Sequence, residues 1–251
     1  PFAVNLIVHK SNPRLEHDLE ICVKHKVPIV ITSLGAREDV NKAITGYGGI
    51  VLHDIIHDRF ARKAIDKGAT GLIAVAAGAG GHAGTISPFA LIREIREWFD
   101  GPLILSGAIS HGSSVLAALA AGADLAYIGT AFIATDEANA VPDYKQMLVE
   151  ATAKDIIYTD RFSGVMGNYL IPSIKRAGID PDKLNESDPT MMDFEALDQS
   201  GAKAWRDIWG AGQGVGGIHE TAKVATLVDR LAREYREALY RLNSIASGYP
   251  G

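Results

Sequence analysis

Leu72-Ile73-Ala74-Val75-Ala76, followed at once by Ala77-Gly78-Ala79-Gly80-Gly81-His82-Ala83-Gly84, reads as a buried strand and the loop that leaves it. Five consecutive apolar residues suit a parallel strand covered on both faces, where a half-exposed strand would alternate. The glycines after it leave backbone N–H groups free to approach a flat or anionic ligand closely. A histidine among them titrates near neutrality and can exchange a proton with that ligand.

The same pattern extends in both directions. Ala3–Val8, Pro28–Thr32, Ile50–Leu52, Leu103–Leu105 and Leu125–Ile128 are further apolar runs. Amphipathic stretches at Leu15–His25, Asp58–Lys67, Phe89–Phe99 and Ser113–Ala121 lie between them, and Gly68 and Gly122 stand where helices hand over to strands. Regular βα alternation predicts an α/β fold with a parallel sheet. Six such units are two short of a closed TIM (β/α)8 barrel, and the first run starts almost at Pro1. The expectation is therefore a barrel whose first two strands are missing from this chain, with an open doubly wound sheet as the competing arrangement. Residues 1–140 would supply barrel strands 3 to 8. Residues 141–251 would form a helical segment shaping substrate access, with a helix at Asp143–Thr152, loop-rich sequence at Arg161–Asp193 and a long helix at Glu220–Ala246. Val224, Leu227, Val228, Leu231, Tyr235 and Leu239 recur along that last helix at packing intervals.

In βα folds the loops after the strands build the site. After Leu103–Leu105 come Ser106-Gly107-Ala108-Ile109, and after Leu125–Ile128 come Gly129-Thr130. Small residues at two successive strand ends suit a phosphate held by backbone amides and a hydroxyl. His53 and Asp54 are expected to follow a strand and reach the site mouth. His57 is expected on the surface, and Ser33 in a plain turn. His9 is a weaker site candidate, while His17, His25, His111 and His219 are set aside.

A net charge of -5 gives no electrostatic reason to expect nucleic acid. No apolar stretch is long enough to span a bilayer. The single cysteine, Cys22, excludes an internal disulfide and a cysteine-based metal cluster, and no His/Asp/Glu group has metal-ligand spacing. The cytoplasm is the default location.

Taken in order, these motifs resemble the nitronate monooxygenase family, formerly the 2-nitropropane dioxygenases. The resemblance runs from about Phe2 to Ala138 through Ala79–Gly84, Pro102–Ile109, Ala121–Thr130 and Phe132–Glu137. Trp209-Gly-Ala-Gly-Gln-Gly-Val-Gly216 is similar to a stretch near the family's C-terminal end. The resemblance implies a TIM barrel that binds FMN, with the phosphate at Ser106, Gly107, Ala108, Gly129 and Thr130. It implies that Gly80, Gly81 and His82 face the flavin ring and substrate, and that His82 is the catalytic base. Gln213 is expected at the flavin edge, and Asp54 among the cofactor contacts. Gly78, Asp54 and Ala131 stand where the family often has an acidic residue, a basic residue and an arginine.

The implied activity is oxidation of alkyl nitronates or nitroalkanes by molecular oxygen to a carbonyl compound and nitrite, in a cytoplasmic enzyme that can be a homodimer. Two other readings share the same loops. One is an NAD(P)H-dependent flavin reductase of quinones or of enoyl and related acyl thioesters. The other is a flavin-free phosphate-binding isomerase.

Overall fold

A computed structural model describes residues 2–185 and 206–248. The elements follow in the order β1 (Ala3–Ile7), α1 (Leu15–Lys24), β2 (Ile29–Ser33), α2 (Glu38–Thr45), β3 (Ile50–Ile55), α3 (Asp58–Asp66) and β4 (Gly71–Val75). Next come the two-residue β5 (Gly81–His82), α4 (Pro88–Arg96), β6 (Leu103–Ser106), α5 (Gly112–Ala120), β7 (Leu125–Tyr127), α6 (Thr130–Ile133) and α7 (Pro142–Glu150). The last are β8 (Ile156–Thr159), β9 (Gly167–Leu170), α8 (Ile171–Arg176) and α9 (Val224–Ala246). Part of the predicted loop-rich stretch, from residue 186 on, lies outside the described residues.

The chain divides into two compact units. The first comprises Pro1–Val75, Ile86–Ser106 and Ala118–Ala126; the second comprises Ala76–Thr85, Gly107–Ala117 and Tyr127–Gly251.

The first unit carries the parallel sheet, in the order β1-β2-β3-β4-β6-β7. Its register places Ile31 beside Leu52 and Ile73 beside Ile104. These four form a buried cluster made of strand residues alone, flanked by Ile29 and Val75. The helices therefore lie on the other face, where Val30, Val51, Leu72, Ala74 and Leu103 are fully buried. Burial on both faces explains why the strands read as continuous apolar runs.

Local sequence sets the helix ends. Glu16 and Asp18 in the first turn of α1 and Lys24 in its last complement the helix dipole. Pro88 opens α4, where its missing N–H costs nothing. His57 caps α3, accepting from the Phe60 N–H through Nδ1 at 3.2 Å. The sequence reading overlooked α2, because Glu38–Thr45 offers only Val40, Ala43 and Ile44 as its apolar stripe. The Arg96 guanidinium donates to Asp124 Oδ2 at 2.8 Å, and that oxygen also accepts from the Leu103 N–H, tying α4 and β6 to the start of β7.

The second unit contains a small antiparallel sheet, β5-β9-β8; β5 and β9 fall in stretches that read from sequence as loop, and β8 falls between the expected helix and the loop-rich stretch. Its core gathers Ala131, Leu148, Leu170, Trp209, Val215, Ile218, Leu227 and Leu231. Trp209 stacks on Tyr144 with ring centroids 4.7 Å apart, and the Arg176 guanidinium lies 3.7 Å over the Trp209 ring. Helix α9 differs from expectation in its buried set. Leu227, Leu231 and Glu234 are buried, whereas Val228 and Leu239 are exposed. Glu234 faces inward because its carboxylate accepts from the Gly112 N–H at 2.8 Å at the start of α5.

Among the described residues no helix is long and apolar enough to cross a membrane, and no cluster of His, Cys, Asp and Glu could hold a metal ion.

Candidate active site

The second unit brings most of the predicted residues together around the loop that leaves β4. His82 sits on β5, paired with Gly167 of β9, while Gly81 pairs with Asn168. Two side chains fix this loop by its carbonyls: Asn168 Nδ2 donates to Ala79 O at 2.7 Å, and Tyr158 donates to Ala83 O at 2.7 Å. Asn168 is buried, so its amide needs that carbonyl as much as the loop needs the amide.

A second layer of backbone lies directly on the first. The Gln213 N–H donates to Gly78 O at 2.8 Å, and the Ala108 N–H donates to the same oxygen at 3.2 Å. Thr130 Oγ1 accepts from the Gly212 N–H at 3.0 Å. The loops after β4, β6 and β7 and the segment around Gln213 thus share one network, although they are far apart in sequence. A side chain on Gly80 would stand 2.7 Å from Gly212 N, so the two chains approach to a distance that only glycine allows. Gly107 (φ +146°) and Ala108 (φ +53°) both turn through the left-handed region, and this swings the chain sharply after β6.

His82 is half-buried, and its Nε2 lies 2.8 Å from Ser163 Oγ. Ser163 Oγ also lies 3.0 Å from the hydroxyl of Tyr169 and 3.1 Å from Val165 O. Burial holds His82 below the usual histidine range, so the imidazole is neutral at pH 7 and able to accept a proton. Tyr169 is fully buried, which pushes its phenol up and keeps it protonated. Sequence reading missed Ser163, Asn168 and Tyr169. The available signal was the polar pair in Gly167-Asn168-Tyr169-Leu170, inside a strand too short to show a period.

Ser106 and Asp54 belong to the sheet unit. Ser106 ends β6 and pairs with Val75. His53 and Asp54 do not follow β3 but lie within it, because the strand runs on to Ile55. Side-chain alternation sends the two to opposite faces. His53 points to the helix side, where it is buried, contacts Thr32 Oγ1 through Nδ1 at 2.5 Å, and is held at about 4 by burial, with Lys63 adding repulsion. Asp54 points to the strand-only face, where Ser33 Oγ lies 2.6 Å from its Oδ2 and 3.1 Å from Asn5 Oδ1.

Burial pushes the Asp54 carboxyl up to about 6, against the pull of the Ser33 hydroxyl. The folded protein therefore binds more protons than the unfolded chain between about pH 4 and 6, and stability falls as pH rises through that window. Asp54→Asn should consequently be more stable than the wild type at pH 8, by on the order of 2 kcal/mol, and lose that advantage below pH 4. Urea denaturation at both pH values checks this; equal stabilities at pH 8 would contradict it.

A parallel sheet whose strands alternate with helices, with glycine-rich loops leaving its strand ends, is an α/β arrangement of the barrel kind. The nitronate monooxygenase family model matches residues 2–234, and the chain belongs to that family. It is 29% identical over 195 residues to a nitronate monooxygenase of Paraburkholderia phytofirmans, covering 72% of this chain and 53% of that protein. It is 24% identical over 182 residues to an octahydroindene-carboxyl-CoA dehydrogenase of Rhodococcus jostii, covering 71% and 51%. The chain thus spans about half the length of these two relatives.

Among solved structures, FabK from Thermotoga maritima superposes with a TM-score of 0.84 at 25% identity, over 98% of this chain and 79% of that one. A nitroalkane oxidase from Streptomyces ansochromogenes superposes with 0.78 at 25% identity, over 96% and 82%. The sheet and its helices are accordingly of the TIM-barrel α/β kind.

Proposed function

We propose that the protein binds FMN and oxidises alkyl nitronates, or the nitroalkanes that give rise to them, with molecular oxygen. The observation that carries this reading is the half-buried, neutral His82 on a glycine loop that shares a hydrogen-bond network with the small-residue loops after β6 and β7.

The second unit fits the cofactor in one testable respect. Among the described residues, and apart from its chain neighbours, no heavy atom lies within 4 Å of the point where a Gly129 side chain would start, and its φ of -112° is ordinary, so the residue borders open space there. In this reading Gly107, Ala108, Gly129 and Thr130 hold the phosphate, with Ser106 next to Gly107 in the chain. Gly80, Gly81 and Gln213 line the ring. Apart from Gln213, the flavin contacts come from residues 1–140, and the rest of residues 141–251 shape substrate access. The bound flavin supplies the electron acceptor that nitronate oxidation requires, and oxygen takes the electrons onward. The chain's own task is proton traffic: His82 accepts the acidic proton from the carbon bearing the nitro group. The balanced reaction turns two nitronate ions and one O2 into two carbonyl molecules and two nitrite ions.

A second reading is reduction of acyl thioesters with NAD(P)H. The sequence likeness to a carboxyl-CoA dehydrogenase favours it. Anaerobic mixing with NADH separates the two. The nitronate reading expects slow flavin bleaching by NADH, fast bleaching by a nitronate and about two nitrites per O2 consumed in air; fast bleaching by NADH alone would reverse the choice. Gly129→Ala should weaken FMN binding roughly tenfold or more while leaving the melting temperature of the apoprotein unchanged. Unchanged FMN affinity would place the phosphate elsewhere.

A further inference from the structure

Among the described residues no Asp, Glu, Lys or Arg is less exposed than Glu234 (9%), on the packed face of α9. A carboxylate so far from water is costly unless donors or cations surround it. Its Oε2 accepts from the N–H of Gly112, the first residue of α5, at 2.8 Å. Its Oε1 lies 3.4 Å from His111 Nε2 and 3.8 Å from Arg230 Nε. Arg230 is held in turn, since its Nη1 donates to Gly217 O at 3.2 Å.

Helix α9 meets this end of α5 backbone to backbone. A side chain on Gly112 would stand against Leu231 O and Tyr235 N, and 2.7 Å from Glu234 Cβ, so only glycine fits there. The chain between β6 and α5 is therefore tied at two points. Near its start the Ala108 N–H donates to Gly78 O at 3.2 Å, and at its end the Gly112 N–H donates to Glu234. All these residues belong to the second unit. Between the ties, Ala108 holds a φ of +53°, which a residue with a side chain keeps only when its surroundings impose it.

We propose that Glu234 is a positioning residue: by taking the first N–H of α5 it fixes the loop Gly107–His111 in the conformation that receives the cofactor phosphate. The assignment of the phosphate to this loop rests on the FMN reading above; the tie itself does not. The carboxylate also fills the N-terminus of α5, an end that attracts anions. A phosphate is thereby left the amides of Gly107 and Ala108. Helix α9, remote in sequence from the loop, thus sets its shape.

Glu234→Met and Glu234→Gln separate the hydrogen bond from the charge. Methionine has a similar length and suits a buried helix face, but offers Gly112 no oxygen. Glutamine drops the charge and keeps an oxygen. Replacing a buried charge by an apolar residue of similar volume is often neutral for stability, so both variants should fold. Amide ¹H–¹⁵N spectra of the full-length protein without flavin read the loop directly. Glu234→Met should move the Gly107 and Ala108 resonances together with Gly112, whereas Glu234→Gln should move only Gly112 and its immediate neighbours. Flavin titration reads the consequence. Glu234→Met should weaken FMN binding roughly fivefold or more, while riboflavin, which lacks the phosphate, stays within about twofold. Glu234→Gln should bind FMN at least as tightly as the wild type. The proposal is overturned if Gly107 and Ala108 keep their wild-type resonances in Glu234→Met, or if that variant binds FMN as the wild type does. Equal losses of FMN and riboflavin would overturn it too, by making Glu234 a general structural residue. If the wild type binds riboflavin as tightly as FMN, or binds neither, the phosphate assignment fails and the spectra alone decide whether Glu234 fixes the loop.

Discussion

His82→Ala is expected to lower kcat/KM for a neutral nitroalkane by about 10²–10⁴-fold, the usual contribution of a positioned general base. The loss should be much smaller for the preformed nitronate, which has already given up its proton. FMN affinity should stay within a few-fold of the wild type, because the backbone that carries His82 is secured by other groups: pairing with Gly167, the Asn168 amide on Ala79 O and the Tyr158 hydroxyl on Ala83 O. The acidic limb of the wild-type profile should lie below pH 6.5, since burial lowers the imidazole from that reference value. Steady-state oxygen uptake on both substrates, with flavin titration of the variant, checks all three points. Equal losses in turnover of the nitroalkane, turnover of the nitronate and FMN binding would assign His82 a structural role.

That prediction depends on a residue the sequence exposes and on neighbours it conceals. The glycine-histidine loop and the two strand-end loops are legible because each follows an apolar run directly, and βα order turns sequence position into spatial position. Strand order was legible for the same reason: Val30, Val51, Leu72 and Leu103 are buried as consecutive members of two-faced strands.

Side-chain direction was not legible. His53 and Asp54 look equivalent at the end of a run, yet β3 extends through both, and alternation sends one to the helices and the other to the strand-only face. Ser163 and Tyr169 were concealed for another reason. Strands β8 and β9 have four residues each, and β5 has two, so no period can emerge. What defines that sheet is long-range pairing of His82 with Gly167, which no local pattern encodes. Val228 and Leu239 show the converse limit. Both fit the helical repeat of α9, but packing selects Leu227, Leu231 and even Glu234, whose carboxylate has a backbone amide to satisfy.

Gly80→Ala should be the most damaging small substitution in the site. Its new methyl carbon would stand 2.7 Å from Gly212 N, 3.0 Å from Ala211 C and 3.2 Å from Ala211 Cα, all backbone atoms that cannot rotate away. The crowding is reciprocal, since a side chain on Gly212 would meet Gly78 O at 2.6 Å and Gly80 N at 3.0 Å. Relief requires the two segments to part. Parting stretches the Gln213 N–H bond to Gly78 O (2.8 Å), the Asn168 bond to Ala79 O (2.7 Å) and the Gly212 N–H bond to Thr130 Oγ1 (3.0 Å). Overpacking alone costs about 1–3 kcal/mol, and each buried hydrogen bond lost adds about 1 kcal/mol. A total of about 2–5 kcal/mol follows, which for a chain of this size lowers the melting temperature by roughly 5–15 °C. Asn168→Ala breaks one of these bonds without adding bulk, so it should cost less, about 1–3 kcal/mol for leaving the Ala79 carbonyl unpaired. If Gly80→Ala melts within 2 °C of the wild type, the two segments have room that their measured approach denies, and the close backbone contact is not what holds the histidine loop in place.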